Sequence, residues 1–160
     1  TEADVQGIGP GQGHHVGFPI DLPEPMLVCP VRDCRRALQR DARRVSCEEG
    51  HSFDIARSGY INLLQPQDRK SKHPGDSTTV VSARRRLHDR GVTEPLLRGI
   101  LEFTNPQRDD SVLDAGCGDG FYLGSFARET GCAGHGVDIS IPAIDAAARR
   151  YRRLRPPPPR

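Results

Sequence analysis

The sequence lacks several features that would place it in particular protein classes. Trp is absent, aromatic residues make up 5% of the chain, and hydrophobic residues make up 35%. With 17 Gly and 14 Pro, this composition is typical of a loop-rich soluble protein with a modest core. Apolar runs stay well short of the ~18 residues that a membrane helix needs. Residues 1–25 also lack the basic start and apolar stretch of a secretory signal. We therefore expect a soluble, cytoplasmic chain that is about one domain in size at 160 residues.

The net charge of +2 conceals an uneven distribution of charge. Residues 149–160 contain six Arg and no acid, which leaves 17 basic and 21 acidic residues in 1–148. A second basic stretch spans residues 69–90, with seven basic residues against Asp76 and Asp89. Such patches suit a polyanion such as RNA, although a solvated helix face has the same charge pattern.

Composition and periodicity divide the chain into five parts. A Gly- and Pro-rich extension that we expect to be disordered comes first, followed by a small cysteine-containing module and a helical connector. A unit with the pattern of a nucleotide-binding domain and an Arg/Pro-rich tail complete the chain. In chain order, the predicted boundaries are 1–25, 26–64, 65–106, 107–151 and 152–160.

Local sequence signals predict the elements of the module and the connector. In the module, we expect strands at 44–46 and 60–63. In the connector, one helix should begin at a Ser77 or Thr78 cap and run to about Arg90, and a second should begin at a Thr93 cap. The second helix should end before residue 106 and bury its apolar residues, which are Leu96, Leu97, Ile100, Leu101 and Phe103.

The fourth part has the alternation of a doubly wound α/β fold. Short apolar strands are predicted at 111–114 and 135–138, and helices at 121–129 and 141–153, the second of them capped by Ser140. Strand, glycine turn, helix, strand and helix in this order form a β-α-β-α unit, which is the opening of a parallel sheet. The expected fold class is therefore α/β, with a small module in front of an incomplete Rossmann-like domain.

The cysteine-containing module has the spacing of a metal site. Cys29, Cys34, Cys47 and His51 form the pattern C-x4-C-x12-C-x3-H. Two short-spaced pairs on separate turns supply the tetrahedron that Zn²⁺ prefers, and with four protein ligands the metal would be structural. The alternatives are buried thiols or a disulfide. Cys117 and Cys132 lie outside the pattern and are expected to fill space in the core.

A glycine loop in the fourth part predicts a cofactor site. The run D-A-G-C-G-D-G begins at Asp114, and its glycines are Gly116, Gly118 and Gly120. A dinucleotide fingerprint would need Gly where Phe121 stands, and a triphosphate loop would need Lys followed by Ser or Thr. A strand that ends in an acid and a glycine turn instead fits a sulfonium cofactor without phosphates, for which S-adenosyl-L-methionine is the natural candidate.

Asp138 supports this interpretation. It ends the next predicted strand, 20 residues after Gly118, where a carboxylate can accept hydrogen bonds from ribose hydroxyls. An unrelated surface Asp beside a glycine-rich turn is the alternative.

Residues from about Cys29 to Tyr151 resemble the bacterial 23S rRNA guanine-N1 methyltransferases that carry an N-terminal zinc ribbon. The resemblance rests on the cysteine pattern, the glycine loop and several specific stretches, which are HSFDIARSGYINLL at 51–64, PGDS at 74–77, ARR at 83–85, GVDIS at 136–140 and AAARRY at 146–151. It implies a Rossmann-like methyltransferase that uses S-adenosyl-L-methionine, a zinc ribbon that helps to recognise a 23S rRNA hairpin, and frequently a homodimer.

The resemblance also assigns residues. It implies that Cys29, Cys34, Cys47 and His51 ligate zinc and that Gly118 and Asp119 contact the cofactor, supported by Asp114, Gly116, Gly120 and Asp138. Thr93 stands where the family commonly has a Tyr that contacts the cofactor, and Thr cannot stack on a purine. No residue is assigned a catalytic role.

Two functions follow from these observations. One is methyl transfer to N1 of a guanine in 23S rRNA, for which the chain would be an N-terminal portion because it supplies about two strands of a larger sheet. The other is a zinc-ribbon module that binds RNA without turnover. A DNA-binding zinc finger fits less well, because His51 is not followed by a second His at the spacing of such a finger.

Overall fold

The computed structural model describes residues 27–69 and 71–151, and it consists of a zinc-ribbon-like module followed by helices and a parallel strand pair. The predicted disordered extension, the Arg/Pro-rich tail, Lys70 and the predicted helix residues 152–153 lie outside the described residues. No helix in the described ranges is long and apolar enough to cross a membrane.

The module is a small antiparallel sheet of three short strands, β1 (Gln39–Arg40), β2 (Arg44–Ser46) and β3 (Ser52–Asp54). The central strand β2 pairs with both neighbours, with Val45 opposite Arg40 on one side and Phe53 on the other. An isolated bridge between Val28 and Ala37 extends the pairing toward the first cysteines. The core beneath the sheet is built largely from cysteines and aliphatic side chains, with Cys29, Leu38, Val45 and Cys47 buried.

The prediction for this module was correct at 44–46 and wrong at 60–63. Only Ile61 of the latter segment makes a β-bridge, to Ile55, because the chain turns at Gly59, where φ is +111° and the Gly59 N–H donates to the Ala56 carbonyl. The apolar side chains of the segment instead pack inward. Tyr60 packs against a core cluster that contains Leu123 and Ala147, and Ile61 packs against the core of the module.

The connector contains a short 3-10 helix (Pro66–Asp68) and two α-helices, α1 (Thr78–Asp89) and α2 (Glu94–Thr104). As predicted, Ser77 caps α1, its hydroxyl accepting from the Val80 N–H at 3.4 Å. Thr93 is the N-cap residue of α2 as predicted, but its hydroxyl makes no capping bond. The burial of α2 was also predicted only in part, since Leu97 is buried whereas Leu96 and Phe103 are exposed.

The remaining residues form the predicted β-α-β-α unit, with β4 (Ser111–Ala115), α3 (Phe121–Thr130), β5 (Ala133–Val137) and α4 (Ile141–Tyr151). Strands β4 and β5 are parallel, with Asp114 opposite Gly136. Ser140 caps α4 as predicted, its hydroxyl accepting from the Ala143 N–H at 3.2 Å. Because β4 and β5 run in the same direction, the loops that follow them meet at one edge of the sheet.

Candidate metal centre and cofactor-binding loop

Two turns of the module bring its four predicted metal ligands together. Cys29 and Cys34 flank the first turn, and the second runs from Cys47 to His51. The second turn is closed by a bond from the Gly50 N–H to the Cys47 carbonyl, and Gly50 takes φ of +82°, a conformation that favours glycine. One ligand atom from each of the four residues lies within 4.8 Å of all the others.

The distances in this cluster fit a tetrahedral zinc site. With Zn–S of about 2.3 Å and Zn–N of about 2.05 Å, tetrahedral geometry requires about 3.8 Å between two sulfurs and about 3.6 Å between sulfur and nitrogen. The Sγ atoms of Cys34 and Cys47 are 3.8 Å apart, and His51 Nδ1 lies 3.5 Å from Cys29 Sγ and 3.4 Å from Cys47 Sγ. All the cysteines are free thiols, which rules out the disulfide alternative. The donor set therefore fits Zn²⁺ with all four positions filled by protein.

Burial and backbone dipoles act on the thiols in opposite directions. Burial raises the pKa of Cys29 to about 11. Burial also acts to raise the pKa of Cys47, but the backbone N–H groups of His51 and Glu49 outweigh it and bring that pKa to about 7. Bound Zn²⁺ requires thiolates, so zinc binding by this cluster would release protons.

The glycine loop after β4 is held against the neighbouring strand. The N–H groups of Gly116 and Cys117 both donate to the carbonyl of Val137 on β5, at 2.7 and 3.1 Å. Gly116, Gly118 and Gly120 have φ of +89°, +57° and +76°, so the chain turns three times through conformations that other residues rarely adopt. The loop leads directly into α3, as the strand-turn-helix pattern predicts.

Two carboxylates lie at this edge of the sheet. Asp138 follows β5, and its Oδ2 accepts from the Gly118 N–H at 2.8 Å while its Oδ1 accepts from the Ser140 N–H at 2.7 Å. Asp114 lies at the corresponding end of β4, and burial together with the Asp138 charge raises its pKa above the usual value. The structure thus brings together the predicted cofactor residues Asp114, Gly116, Gly118, Gly120 and Asp138.

Asp119 is oriented differently from the other acids of the loop. Its side chain is 4% exposed, faces α1 and forms an ion pair with Arg85. Because the Asp119 carboxylate is paired with Arg85, the cofactor contact predicted for Asp119 stays a prediction for its backbone alone.

Comparison with known proteins bears on both sites. Residues 27–72 match the family model for the RlmA N-terminal region, a zinc ribbon, and residues 112–158 match a methyltransferase domain model. The chain thus contains one segment similar to an RlmA-type zinc ribbon and another similar to a methyltransferase domain. This confirms the resemblance and the α/β fold class that were expected from the sequence.

Two curated relatives span both regions. A 23S rRNA (guanine(748)-N(1))-methyltransferase from Streptomyces fradiae is 38% identical over 132 residues, which cover 79% of this chain and 45% of that protein. A Micromonospora griseorubida protein named for 23S rRNA guanine-N1 methyl transfer is 35% identical over 150 residues, covering 81% and 49%. The chain spans about half the length of the curated relatives it matches.

Thr93 lies between α1 and α2, at the N-cap position of α2. Its hydroxyl is 2.7 Å from His88 Nδ1, which explains why it does not cap α2. The Thr93 hydroxyl thus contacts a buried histidine of α1, and its contact with a cofactor stays a prediction.

Sequence reasoning missed the part that α1 plays at the methyltransferase loop. The sequence predicts for Arg85 only membership of a basic stretch and of the ARR motif at 83–85, and it assigns no role to His88. Their spacing contained a usable signal, because positions 81, 85 and 88 share one helix face and Val81 is apolar. In the structure, Val81 and His88 are buried and the Arg85 side chain is 17% exposed.

The two cysteines outside the metal cluster occupy buried positions in the methyltransferase domain. Burial raises the pKa of Cys117 to about 12, so its thiol stays protonated. A Cβ atom at Gly136 would lie 2.8 Å from Cys117 Sγ, so this cysteine fills the space left by a glycine of β5. Cys132 packs with Leu97 and Phe126 in a separate core cluster.

Proposed function

We propose that the chain is part of an S-adenosyl-L-methionine-dependent methyltransferase that methylates N1 of a guanine in 23S rRNA. The observation that carries the proposal is the glycine loop between Asp114 and Asp138, next to a zinc ribbon of the RlmA type. The printed names of the two curated relatives supply the substrate class. The position of the guanine is stated only for the Streptomyces fradiae protein.

In this proposal, S-adenosyl-L-methionine supplies an electrophilic methyl group on its sulfonium. The left-handed turn at Gly116, where nothing lies within 4 Å of an added Cβ atom, lets the backbone approach a ligand closely. Each Asp138 oxygen accepts one backbone N–H, and each keeps a second lone pair for a ribose hydroxyl. Asp138 would thus fix the loop and the ribose at once.

Zinc has a structural role in this proposal. Cys29, Cys34, Cys47 and His51 would hold it, and the metal would replace a larger apolar core in a module of short strands. The metal site would thereby position the exposed arginines of the module, which include Arg32, Arg35, Arg43 and Arg57. These charges suit the phosphates of an rRNA hairpin.

The expected catalytic contribution is mainly positional. The N1 atom of guanine must lie in line behind the sulfonium methyl. As the new C–N bond forms, the methyl C–S bond breaks, S-adenosyl-L-homocysteine leaves and the N1 proton passes to water. The target base would be unstacked from the rRNA to reach the loop. A homodimer in the cytoplasm remains part of the proposal, as the family resemblance implies.

A second candidate function is RNA binding by the zinc ribbon without methyl transfer. It is supported by the Cys29–Cys34–Cys47–His51 cluster and the exposed arginines of the same module. Both candidates predict RNA binding, so only cofactor binding and turnover distinguish them.

A methyl-transfer assay separates the two candidates. The zinc-loaded chain would be incubated with isotopically labelled S-adenosyl-L-methionine and a 23S rRNA fragment, with the Streptomyces fradiae relative as the positive control. Methylation of N1 blocks base pairing and stops reverse transcription, so primer extension locates the product. A stop that requires the cofactor and disappears in Asp138→Ala supports methyl transfer. RNA binding without a stop, where the relative produces one, favours the second candidate.

A further inference from the structure

One face of α1 packs against the cofactor loop rather than against solvent. Val81, Arg85 and His88 share this face, and all three have little or no exposure. The connector before α1 also contacts the sheet edge where the glycine loop lies, since Ser140 Oγ donates to the Asp76 carbonyl at 2.7 Å. At Gly75, a Cβ atom would lie 2.7 Å from Ser140 Cβ, so glycine is required for this close approach.

Arg85 contacts the loop at two points on one residue. Its Nη2 forms the ion pair with the Asp119 carboxylate and also donates to the Asp119 backbone carbonyl at 3.2 Å. The two contacts fix both the side chain and the peptide plane of Asp119. Since the Asp119 side chain is 4% exposed, its charge depends on Arg85 for compensation.

His88 contacts the residue on the other side of Gly120. Its ring stacks on Phe121, with 3.9 Å between ring centroids and 4° between planes. Burial lowers the pKa of His88, although the Asp119 charge acts against this. The ring is therefore neutral near pH 7, with Nε2 facing Asp119 Oδ1 at 3.9 Å and Nδ1 bonded to the Thr93 hydroxyl at 2.7 Å.

We propose that Arg85 and His88 are positioning residues that hold the cofactor loop in its binding conformation. They fix Asp119 and Phe121 on either side of Gly120, so the backbone of this segment is already in place when the ligand arrives. Phe121, which replaces the third glycine of a dinucleotide fingerprint, is the stacking partner that this arrangement requires. The inference rests on the proposed function for its ligand, S-adenosyl-L-methionine.

The loop needs such an anchor because of its own sequence. Gly116, Gly118 and Gly120 lose more conformational entropy on ordering than other residues, and an unanchored loop would lose it on ligand binding. Because two contacts from a helix already order the loop, it loses this conformational entropy when the protein folds and not when the ligand binds. We therefore expect that removing these contacts lowers the affinity for the ligand and leaves the rest of the fold in place.

The first test uses the chain without cofactor. Amide hydrogen exchange of residues 116–121 would be measured in the zinc-loaded chain and in Arg85→Met, Arg85→Lys and the control Arg98→Met. Arg98 also forms ion pairs, one with Glu94 within α2 and one with Glu129 of α3. We expect Arg85→Met to raise exchange in the loop tenfold or more, a factor typical of a lost charged hydrogen bond. Lys should restore most of the protection, and the control should leave the loop unchanged.

The second measurement is the affinity for S-adenosyl-L-methionine in the same proteins at a temperature where each is folded. We expect Kd to rise about tenfold in Arg85→Met and in His88→Ala. If Arg85→Met does not fold, Arg85→Met with Asp119→Asn removes both charges and provides the loop measurement.

The two proposals fail in distinguishable ways. Unchanged exchange and unchanged Kd in folded Arg85→Met, or equal effects of Arg98→Met, would overturn the positioning role. Absence of cofactor binding by the unmodified chain would count against the proposed function, and the exchange data would still decide whether Arg85 anchors the loop.

Discussion

The Ser58 hydroxyl of the zinc ribbon donates a 2.7 Å hydrogen bond to the Asp145 carboxylate of α4. Ser58 is buried, and Asp145 is also paired with Arg149 at 2.8 Å. The neighbouring Tyr60 packs on a core cluster of Leu123 and the Ala147 region of α4. The ribbon therefore docks on the helix that follows Asp138.

Breaking this contact should loosen the docking of the ribbon. We expect Ser58→Ala to lower the free energy of unfolding by about 1–3 kcal/mol, because Asp145 loses a buried donor. Chemical denaturation of the zinc-loaded protein measures the change. Ser82→Ala, on an exposed position of α1, is the matched control and should change stability by less than about 0.5 kcal/mol. Equal effects of the two substitutions would contradict the docking role.

Removal of one zinc ligand should unfold the ribbon. Cys47→Ala leaves three ligands and opens the tetrahedron, so we expect loss of bound zinc and of the antiparallel sheet that surrounds Val45. Metal analysis and amide exchange of residues 27–64 provide the measurements. Cys132→Ala, a buried cysteine outside the cluster, serves as the control and should retain one zinc per chain. A Cys47→Ala protein that keeps its zinc would remove Cys47 from the ligand set.

Asp138 should be needed for cofactor binding. Asp138→Ala removes the acceptor of the Gly118 N–H and the expected partner of the ribose, so the affinity for S-adenosyl-L-methionine should fall tenfold or more. Asp138→Asn keeps the size and one acceptor oxygen, and an intermediate loss is expected. Calorimetric titration of each protein gives the values, and an affinity of Asp138→Ala equal to that of the unmodified chain would exclude Asp138 from the site.

Gly120 should not accept a side chain. Its φ is +76°, and a Cβ atom there would lie 3.0 Å from the Tyr151 ring and 3.2 Å from Ala147 Cβ. We expect Gly120→Ala to destabilise the domain by about 1–3 kcal/mol. Gly99→Ala is the control, because Gly99 lies within α2 with open space around it and alanine should stabilise that helix by about 0.5–1 kcal/mol. Thermal unfolding distinguishes the two, and a stabilised Gly120→Ala would contradict the described loop.

The local elements were predictable where one chain segment contains its own signals. The Ser77 and Ser140 caps, the glycine turns and the C-x4-C-x12-C-x3-H spacing are all readable over a few residues. The strand predicted at 60–63 failed because the position of Tyr60 depends on packing against α4, which lies about 90 residues further along the chain. The pattern of apolar and polar residues within 60–63 contains no information about packing against α4.

The glycine loop was predictable in its backbone and less so in its surroundings. Glycines at every second position after a strand indicate a loop. An acid at the end of the next strand indicates a side chain that lies beside this loop. The direction of the Asp119 side chain was not predictable, because it is determined by Arg85, 34 residues earlier on another helix. Thr93 stands at the N-cap position of α2, but the buried His88, five residues earlier, takes its hydroxyl.

The most direct test of the account is isothermal titration of the 160-residue chain with S-adenosyl-L-methionine, with zinc content measured in the same preparation. The account predicts saturable binding at micromolar strength, one ligand per chain, by protein that contains one zinc. A folded, zinc-loaded chain that releases no heat at any temperature tested and is not stabilised by the cofactor would contradict the assignment of the Asp114 to Asp138 loop as the cofactor site.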